Sequence, residues 1–402
     1  MLTRCIGADP QTFAREHWGR LPLLTRAADL PRDFSDLLSV DDVDELLSER
    51  GVRAPFIRVA KEGEVLARER YLSPAGFGAE MPDQVDSAKV LDQFASGSTI
   101  VLQGLHRLWP PMIDFVRAMV DDLGHPVQAN AYVTPPQNRG FDAHYDVHDV
   151  FVLQTAGTKH WIVHEPVHPD PLPSQPWTDH RDAIGERVRD EPVVDAVLNP
   201  GDALYLPRGW IHSARALGAT SVHLTIGVSA FTAVDVVRAV VDQLAADAEF
   251  RRSLPMGADL TDQSEMAATA TKLIAELSER LRDHAADLGE HAATSLRWRF
   301  ADRTRPVAVR PLASLVAAEN AATTSVRWRP GLVATVRRHD GRVTVTLSDR
   351  TISLPESCAD ALEALHAGVV AEAGSLPGLD AADGEVVIRR LLREAVVVPA
   401  GE

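Results

Sequence analysis

Between residues 128 and 229 the chain breaks into short runs rich in β-branched and aromatic residues, namely AYVT, DVFVLQT, KHWIVHEP, DALYLP and SVHLTIGVSA, divided by Gly, Pro and Asp. Runs this short do not make helices with a coherent apolar face. Their shortness and turn residues instead predict several paired strands, closed into a small barrel or sandwich. Residues 166–191 interrupt the pattern with many Pro, Asp and charged residues and no periodicity, and read as an exposed insertion between two strands of that core.

The flanks have a different character. Residues 10–49 are mainly helical but interrupted at Pro22 and Pro31, with Phe13, Trp18 and Leu23 as apolar anchors and Ser39 as an N-cap for the acidic segment that runs to Leu47. Residues 90–105 end as a strand. Residues 110–123 predict a helix with Pro in its first turn and Met112, Phe115, Val116, Met119 and Val120 on or near one face. After Phe231 the composition becomes Ala-rich and charged, with apolar residues at helical spacing. From about Val326 strands return. Asp340-Gly341 marks a hairpin, helices follow near residues 359–365 and 385–394, and AVVVPA closes as a strand, an order that suggests a winged helix.

A chain of 402 residues is a prior for two to three domains. Its 41 Lys and Arg against 57 Asp and Glu leave a formal net charge of -16, which repels phosphate backbones and suits a basic protein segment as partner. Cys5 and Cys358 are far apart and have no thiolate neighbours at ligand spacing, so neither a disulfide framework nor a Cys zinc site is indicated. The N-terminus lacks an apolar signal region and no apolar run is long enough to span a bilayer, so a cytoplasmic, membrane-free location is expected.

The chemistry concentrates in GFDAHYDVHDVFVLQTAGTKHWIVHEP and, further on, NPGDALYLPRGWIHSA. Residues two apart on a strand face the same way with Cα atoms about 6.6 Å apart, so His144 and Asp146 can converge on one ion. His148 shares that face but stands about 13 Å from His144, too far for a common ion, so the third ligand should come from another strand. His212 follows a strand and a Pro-Arg-Gly turn and is the natural choice. Two imidazoles and a carboxylate on one face of an octahedron leave positions open, which favours non-heme iron(II), although zinc is chemically compatible. A lone His-x-Asp is weak by itself, since a hydrogen-bonded His beside a surface Asp reads the same way.

These two segments resemble those of the JmjC-type cupin oxygenases, in the branch that hydroxylates ribosomal proteins. The likeness rests on His144-Tyr145-Asp146, on DVFVLQTAGTKHW with Lys159, on GDALYLPRGWIHSA with His212, and on Phe13, Trp18 and Pro22-Leu23-Leu24 near the N-terminus. It implies an α+β chain with a double-stranded β-helix (cupin/JmjC) core, a helical dimerisation domain and a C-terminal winged-helix domain. The parts would be an N-terminal helical and strand portion of the catalytic domain over residues 1–90, the β-helix core over 91–230, the dimerisation domain over 231–305 and the winged-helix-like domain over 306–402. It also implies iron(II), 2-oxoglutarate and dioxygen as cofactor and cosubstrates, a homodimer, and Lys159 as the partner of the distal 2-oxoglutarate carboxylate. From the residues alone Lys159 would pass for a solvated loop lysine after Gly157.

Asn130 and Tyr132, two apart on the AYVT strand, could line the same pocket as cosubstrate contacts or serve as barrel wall. His148, His160, His164, His168 and His223 read as solvated or satisfied core imidazoles, and Tyr205 and Trp210 as packing. Gly227 stands where relatives often carry a small hydroxyl residue. The substrate expected from the resemblance is an Arg or His side chain of a ribosomal protein or another basic protein. The alternatives are a peptide- or amino-acid-tailoring hydroxylase and a lysine demethylase, which would share the core chemistry. A DNA-binding cupin regulator is disfavoured, because from Pro330 onward 7 Lys and Arg face 11 Asp and Glu.

Overall fold

The computed structural model describes residues 1–61, 63–78, 80–136, 138 and 141–401. Gly140, which opens the His144 motif, and Glu402, the last residue of the expected winged-helix part, lie outside them. The chain divides into two compact units, Met1–Ala230 and Phe231–Glu402.

The first unit carries eleven strands among its described residues: β1 Leu23–Thr25, β2 Ile57–Lys61, β3 Glu64–Val65, β4 Leu72–Ser73, β5 Gln84–Val85, β6 Thr99–Leu102, β7 Val127–Thr134, β8 Asp149–His164, β9 Val194–Leu198, β10 Ala203–Leu206 and β11 Ile211–Val228. Nine of them form one antiparallel sheet in the order β1-β10-β8-β11-β7-β6-β2-β3, with β9 beside β8, while β4 and β5 pair separately. The two long strands, β8 and β11, organise it. Residues 150–153 of β8 pair with β10 and residues 159–163 with β9, while residues 221–228 of β11 pair with β7. Each long strand therefore serves two neighbourhoods, which lets a single ladder wrap around a core.

The wrap needs a break, and Gly157 supplies it. Its φ is +61°, and a Cβ there would lie 2.1 Å from the Thr220 carbonyl oxygen, so no other residue fits without moving backbone. Just before it, Val222 pairs with Ala156 but His223 with Gln154, leaving Thr155 as an extra residue in β8. A β-bulge of this kind reverses which residues face inward. Val150 and Val152, at even positions, pack in the same cluster as Trp161 and Val163, at odd ones, with Leu198, Leu204, Leu206 and Trp210. Phe151 and Leu153 point the other way, into the larger core with Phe13, Phe115, Leu224 and Ile226.

Helices cover that larger core. α1 spans Pro10–Glu16, α2 Val40–Ser48, α3 Ser87–Ala95 and α4 Pro110–Leu123. α4 starts at its prolines and stops at Gly124, whose φ of 67° is the left-handed conformation that ends helices. α2 begins at Ser39 with a reciprocal capping box to Asp42. Asp202 ties the sheet to the N-terminal segment, accepting from Ala27 N, Asn199 N and Arg26. Two expectations need correction. The segment 166–191 is not wholly irregular, since a 3₁₀ turn at Trp177–His180 leads into α5, Arg181–Arg187, where Ile184 is buried. His144 and Asp146 are not on a regular strand either: His144 makes one isolated bridge, to His212, and the β8 ladder begins at Asp149.

In the second unit α6 Ala233–Gln243, α7 Gln263–Asp283 and α8 Ala285–Arg303 precede α9 Pro311–Glu319, β12 Val326–Trp328, β13 Thr335–His339, β14 Arg342–Thr346, β15 Thr351–Pro355, α10 Ala359–His366, α11 Ala381–Arg393 and β16 Val397–Pro399. The β13–β14 hairpin turns on Asp340 and Gly341, both at positive φ (49° and 72°), as a two-residue turn of the favoured hand requires. α11 starts earlier than its apolar pattern suggests because the Asp380 side chain accepts from Asp383 N at 2.8 Å and caps it. Val343, Val345, Ile352, Leu354, Leu362, Leu365, Ile388 and Leu391 form this unit's core. Both cysteines are free and buried, and no described helix is long and apolar enough to cross a membrane.

Candidate metal centre

His144, Asp146 and His212 present ligand atoms that all lie within 4.8 Å of one another, the one such cluster of His, Cys, Asp and Glu among the described residues. The isolated bridge sets this up. His144 N–H donates to His212 O at 3.2 Å and His212 N–H to His144 O at 2.8 Å, which brings the two rings to 4.5 Å between centroids. The Asp146 carbonyl accepts from Gly209 N at 3.0 Å, so the Pro-Arg-Gly turn after β10 holds the loop that carries the carboxylate. His212 Nε2 is 3.8 Å from an Asp146 carboxylate oxygen.

Hydrogen bonding decides which nitrogens are offered. His144 Nδ1 is 2.7 Å from the Asp142 carbonyl oxygen and His212 Nδ1 is 3.1 Å from that of Trp210. A carbonyl only accepts, so each Nδ1 carries the proton and each Nε2 keeps its lone pair. Orientation of ligating imidazoles by backbone carbonyls is what metal sites use to fix the tautomer. Charge agrees. Burial, with His144 beside it, pushes His212 down to about 4, so it is neutral near pH 7. Burial alone would raise Asp146, but His148, His212, His144 and Arg58 outweigh it and hold the carboxyl below its usual range. One carboxylate and two imidazoles are the donor set a borderline divalent cation takes, and the residues present therefore fit iron(II).

The triad opens into a cavity of about 200 Å³ whose lining includes Tyr132, Val150, Val152, Lys159, Trp161, Trp177 and His223. Lys159 is 3% exposed, and among the described residues its Nζ meets only neutral partners, Thr134 Oγ1 at 3.1 Å and His223 Nδ1 at 3.5 Å. Desolvation pushes this ammonium down to about 7, with no acid to offset it. Tyr132 stacks on His223 at 5.1 Å, and the Trp161 ring edge meets the same imidazole at 5.5 Å.

The structure thus brings His144, Asp146, His212, Lys159 and Tyr132 to one cavity. Asn130 is not brought with them. It lines a neighbouring cavity, and its Oδ1 accepts from Gly104 N at 3.0 Å, because β7 runs past Tyr132 toward the end of β6 there. His223, read from the sequence as a core imidazole, is cavity wall instead, and His148 is close enough to act electrostatically on Asp146. Trp177 and Arg58 were missed. Trp177 arrives on the insertion, 6.0 Å from His144 between rings, and no periodicity marks it. Arg58 comes from β2, a strand with no motif of its own.

Comparison with known proteins agrees with this geometry. A JmjC-domain family profile matches residues 109–236. The chain is 33% identical over 258 residues to "Ribosomal oxygenase 1" of Gallus gallus, covering 62% of this chain and 41% of that protein. It is 31% identical over 299 residues to the Rattus norvegicus protein of the same name, covering 70% and 47%. It is also 30% identical over 223 residues to "Bifunctional lysine-specific demethylase and histidyl-hydroxylase NO66" of Drosophila persimilis, covering 54% and 29%. The chain spans less than half the length of these curated relatives. Among solved structures, the Escherichia coli ribosomal oxygenase YcfD with cobalt and 2-oxoglutarate superposes with a TM-score of 0.52 at 17% identity, over 98% of this chain and 99% of that one. Another YcfD structure gives 0.56 at 18% identity over 97% and 98%, a likeness of fold. Site and comparisons converge on one stretch of the chain: residues 109–236, which hold His144, Asp146 and His212, match the JmjC domain, and the relatives found carry the names of ribosomal oxygenases and of a histidyl-hydroxylase.

Proposed function

We propose that this protein is an iron(II)- and 2-oxoglutarate-dependent oxygenase that hydroxylates a side chain of a ribosomal protein. The observation that carries the reading is Lys159, a buried amine without an acid partner among the described residues, in the same cavity as a two-His, one-carboxylate triad. A buried charge is retained at such cost when a ligand supplies the counter-charge, and a dicarboxylate bound to the metal by one end would bring its other end here. His144, Asp146 and His212 would hold the ion. Loaded with iron(II), 2-oxoglutarate and dioxygen, the site would insert one oxygen atom into a substrate C–H bond while the 2-oxo acid becomes succinate and carbon dioxide.

The chain's own residues do the positioning. Lys159 and the Thr134 hydroxyl grip the distal carboxylate, Val150, Val152 and Trp161 exclude water from its chain, and His223 fixes the ring of Tyr132 by stacking. The relatives named as ribosomal oxygenases support a ribosomal-protein target, and the net charge of -16 suits capture of a basic segment. Further parts of the reading are the four-part division at residues 90, 230 and 305, a dimerisation role for α6–α8, a winged helix in the C-terminal part, and a cytoplasmic location.

The test is succinate formation by iron-loaded protein given 2-oxoglutarate, oxygen and a set of ribosomal proteins, with substrate mass read by spectrometry. A product heavier by one oxygen with wild type, and absent with His144→Ala, is the expected result. Metal and 2-oxoglutarate binding without any modified ribosomal protein would move the substrate to a peptide or metabolite, and failure to bind either would sink the oxygenase reading.

A further inference from the structure

The two histidines of the triad are held in unequal ways. His212 is buried near the start of β11 and pairs along that strand with β8, so a ladder fixes its backbone. His144 has a single isolated bridge, in the loop before β8, and its ring is half-buried. A ligand on so short a support can swing unless something else stops the ring. Two aromatic rings stand against it, Phe141 at 5.9 Å and Trp177 at 6.0 Å between centroids, and both also line the metal cavity.

Trp177 belongs to the insertion, and the insertion is tied down at the metal motifs themselves. Tyr145, threaded between the ligands His144 and Asp146, is 1% exposed and packs with Ile184 of α5, Ile211 and Trp177. Its hydroxyl donates to the Gln175 carbonyl at 3.0 Å, two residues before Trp177. Gln175 closes a turn on Leu172: its Oε1 accepts from Leu172 N, and its own N–H donates to the Leu172 carbonyl, both at 2.8 Å. The Pro-Arg-Gly turn before His212 holds the start of the insertion. Arg208 pairs with Asp170 at 3.4 Å, and a Cβ on Gly209 would lie 2.8 Å from the His168 carbonyl oxygen, so the two backbones meet there. Arg181, the first residue of α5, sets its guanidinium 4.5 Å from the centre of the Trp177 ring, an attraction that further restrains the indole.

Resting on the oxygenase reading above, we propose that the insertion is a fixed wall of the reaction chamber and that Trp177 is a positioning residue, which keeps the His144 imidazole aimed at the metal and shuts water out on that side. Tyr145 is its latch: one hydrogen bond from the residue between two ligands sets the turn that delivers the indole. Support of a ligand from outside the coordination sphere and exclusion of solvent then come from the same ring.

Cobalt(II) titration of the full-length protein, followed by visible absorption, tests this without turnover. Trp177→Ala should weaken cobalt binding by about tenfold and alter the ligand-field bands as the His144 ring is freed, and Trp177→Phe should restore most of both. In protein labelled with fluorotryptophan, the fluorine resonance missing from Trp177→Phe should be broadened by cobalt(II). It should also shift in Tyr145→Phe, which keeps the ring and removes the latch. With iron(II), 2-oxoglutarate and oxygen but no protein substrate, Trp177→Ala should release more succinate per bound iron than wild type, because solvent reaches the metal. Unchanged cobalt affinity and bands in Trp177→Ala overturn the positioning role, and no rise in succinate overturns the exclusion of water. A Trp177 resonance indifferent to cobalt overturns the wall, and one that stays in place in Tyr145→Phe overturns the latch. The labelled wild type and Tyr145→Phe carry the test even where the alanine variant does not fold. Cobalt that binds wild type no better than His144→Ala defeats the metal reading instead.

Discussion

A buried lysine with nothing acidic beside it among the described residues should leave a signature in pH. Free of ligand, Lys159 has its pKa pushed from 10.5 to about 7 by burial. Between those values the unfolded chain holds a proton that the folded one has released, so this group makes stability rise as pH rises through that window. The full burial penalty applies below pH 7 and vanishes above 10.5. Lys159→Met should therefore raise the Tm of the ligand-free protein at pH 7, with the advantage over wild type shrinking toward pH 10. A dicarboxylate needs the ammonium form, so its affinity should fall by up to about tenfold per unit as pH climbs above 7, and this dependence should be missing in Lys159→Met. Calorimetric titration of 2-oxoglutarate across pH 6.5–9 checks both, and a flat profile for wild type would refute the role. The sequence displays Lys159 as a letter after Gly-Thr, and only the resemblance lifted it above an ordinary surface lysine. What makes it special is burial, a property of the strands on either side.

At the scale of elements, the bulge in β8 carries the argument. Strict alternation from Val150 and Val152 would turn Lys159 and Trp161 away from the cavity, and the extra residue at Thr155 with the turn at Gly157 returns them to it. Gly157→Ala should cost about 3 kcal/mol or more, because it combines a positive φ with a Cβ driven into the Thr220 carbonyl. Urea unfolding would show the lowered midpoint, and weakened 2-oxoglutarate binding should accompany it as the register around Lys159 loosens. An unchanged midpoint would mean that the strand crossing tolerates a side chain there. Local signals were legible where local physics decides: the prolines and Gly124 bracket α4, Ser39 caps α2, and Asp340-Gly341 turns the β13–β14 hairpin. α5 was not separated from the insertion and β9, just beyond it, was not singled out as a strand, since both owe their form to partners, β8 for β9 and the buried Ile184 contacts for α5.

For the whole molecule the expectations concern assembly and charge. Val236, Val237 and Val241 on α6 are exposed at 46, 60 and 44%, the kind of apolar surface that a second copy of the chain would cover. Light scattering should return twice the 43.7 kDa chain mass, and a value near the chain mass would remove the dimer from the reading. Because net charge acts at long range, association with a basic partner should weaken steadily as salt is raised.

The sequence by itself determined the class of fold, the ligand triad and the order of helical and strand segments. The order of segments and the candidate triad follow from spacing and residue type, and the class of fold from the resemblance that those motifs carry, all of which the chain displays without folding. The tertiary structure alone decided that His144 and Asp146 sit in a bridged loop and not on a strand, that His223, Trp177 and Arg58 wall the site, and that Asn130 faces a different cavity from Lys159. Those facts depend on which strands become neighbours and where a single extra residue shifts their register. Pairing joins residues tens of positions apart through hydrogen bonds that any residue but proline can make, and so it leaves little trace in the identities of the residues it brings together.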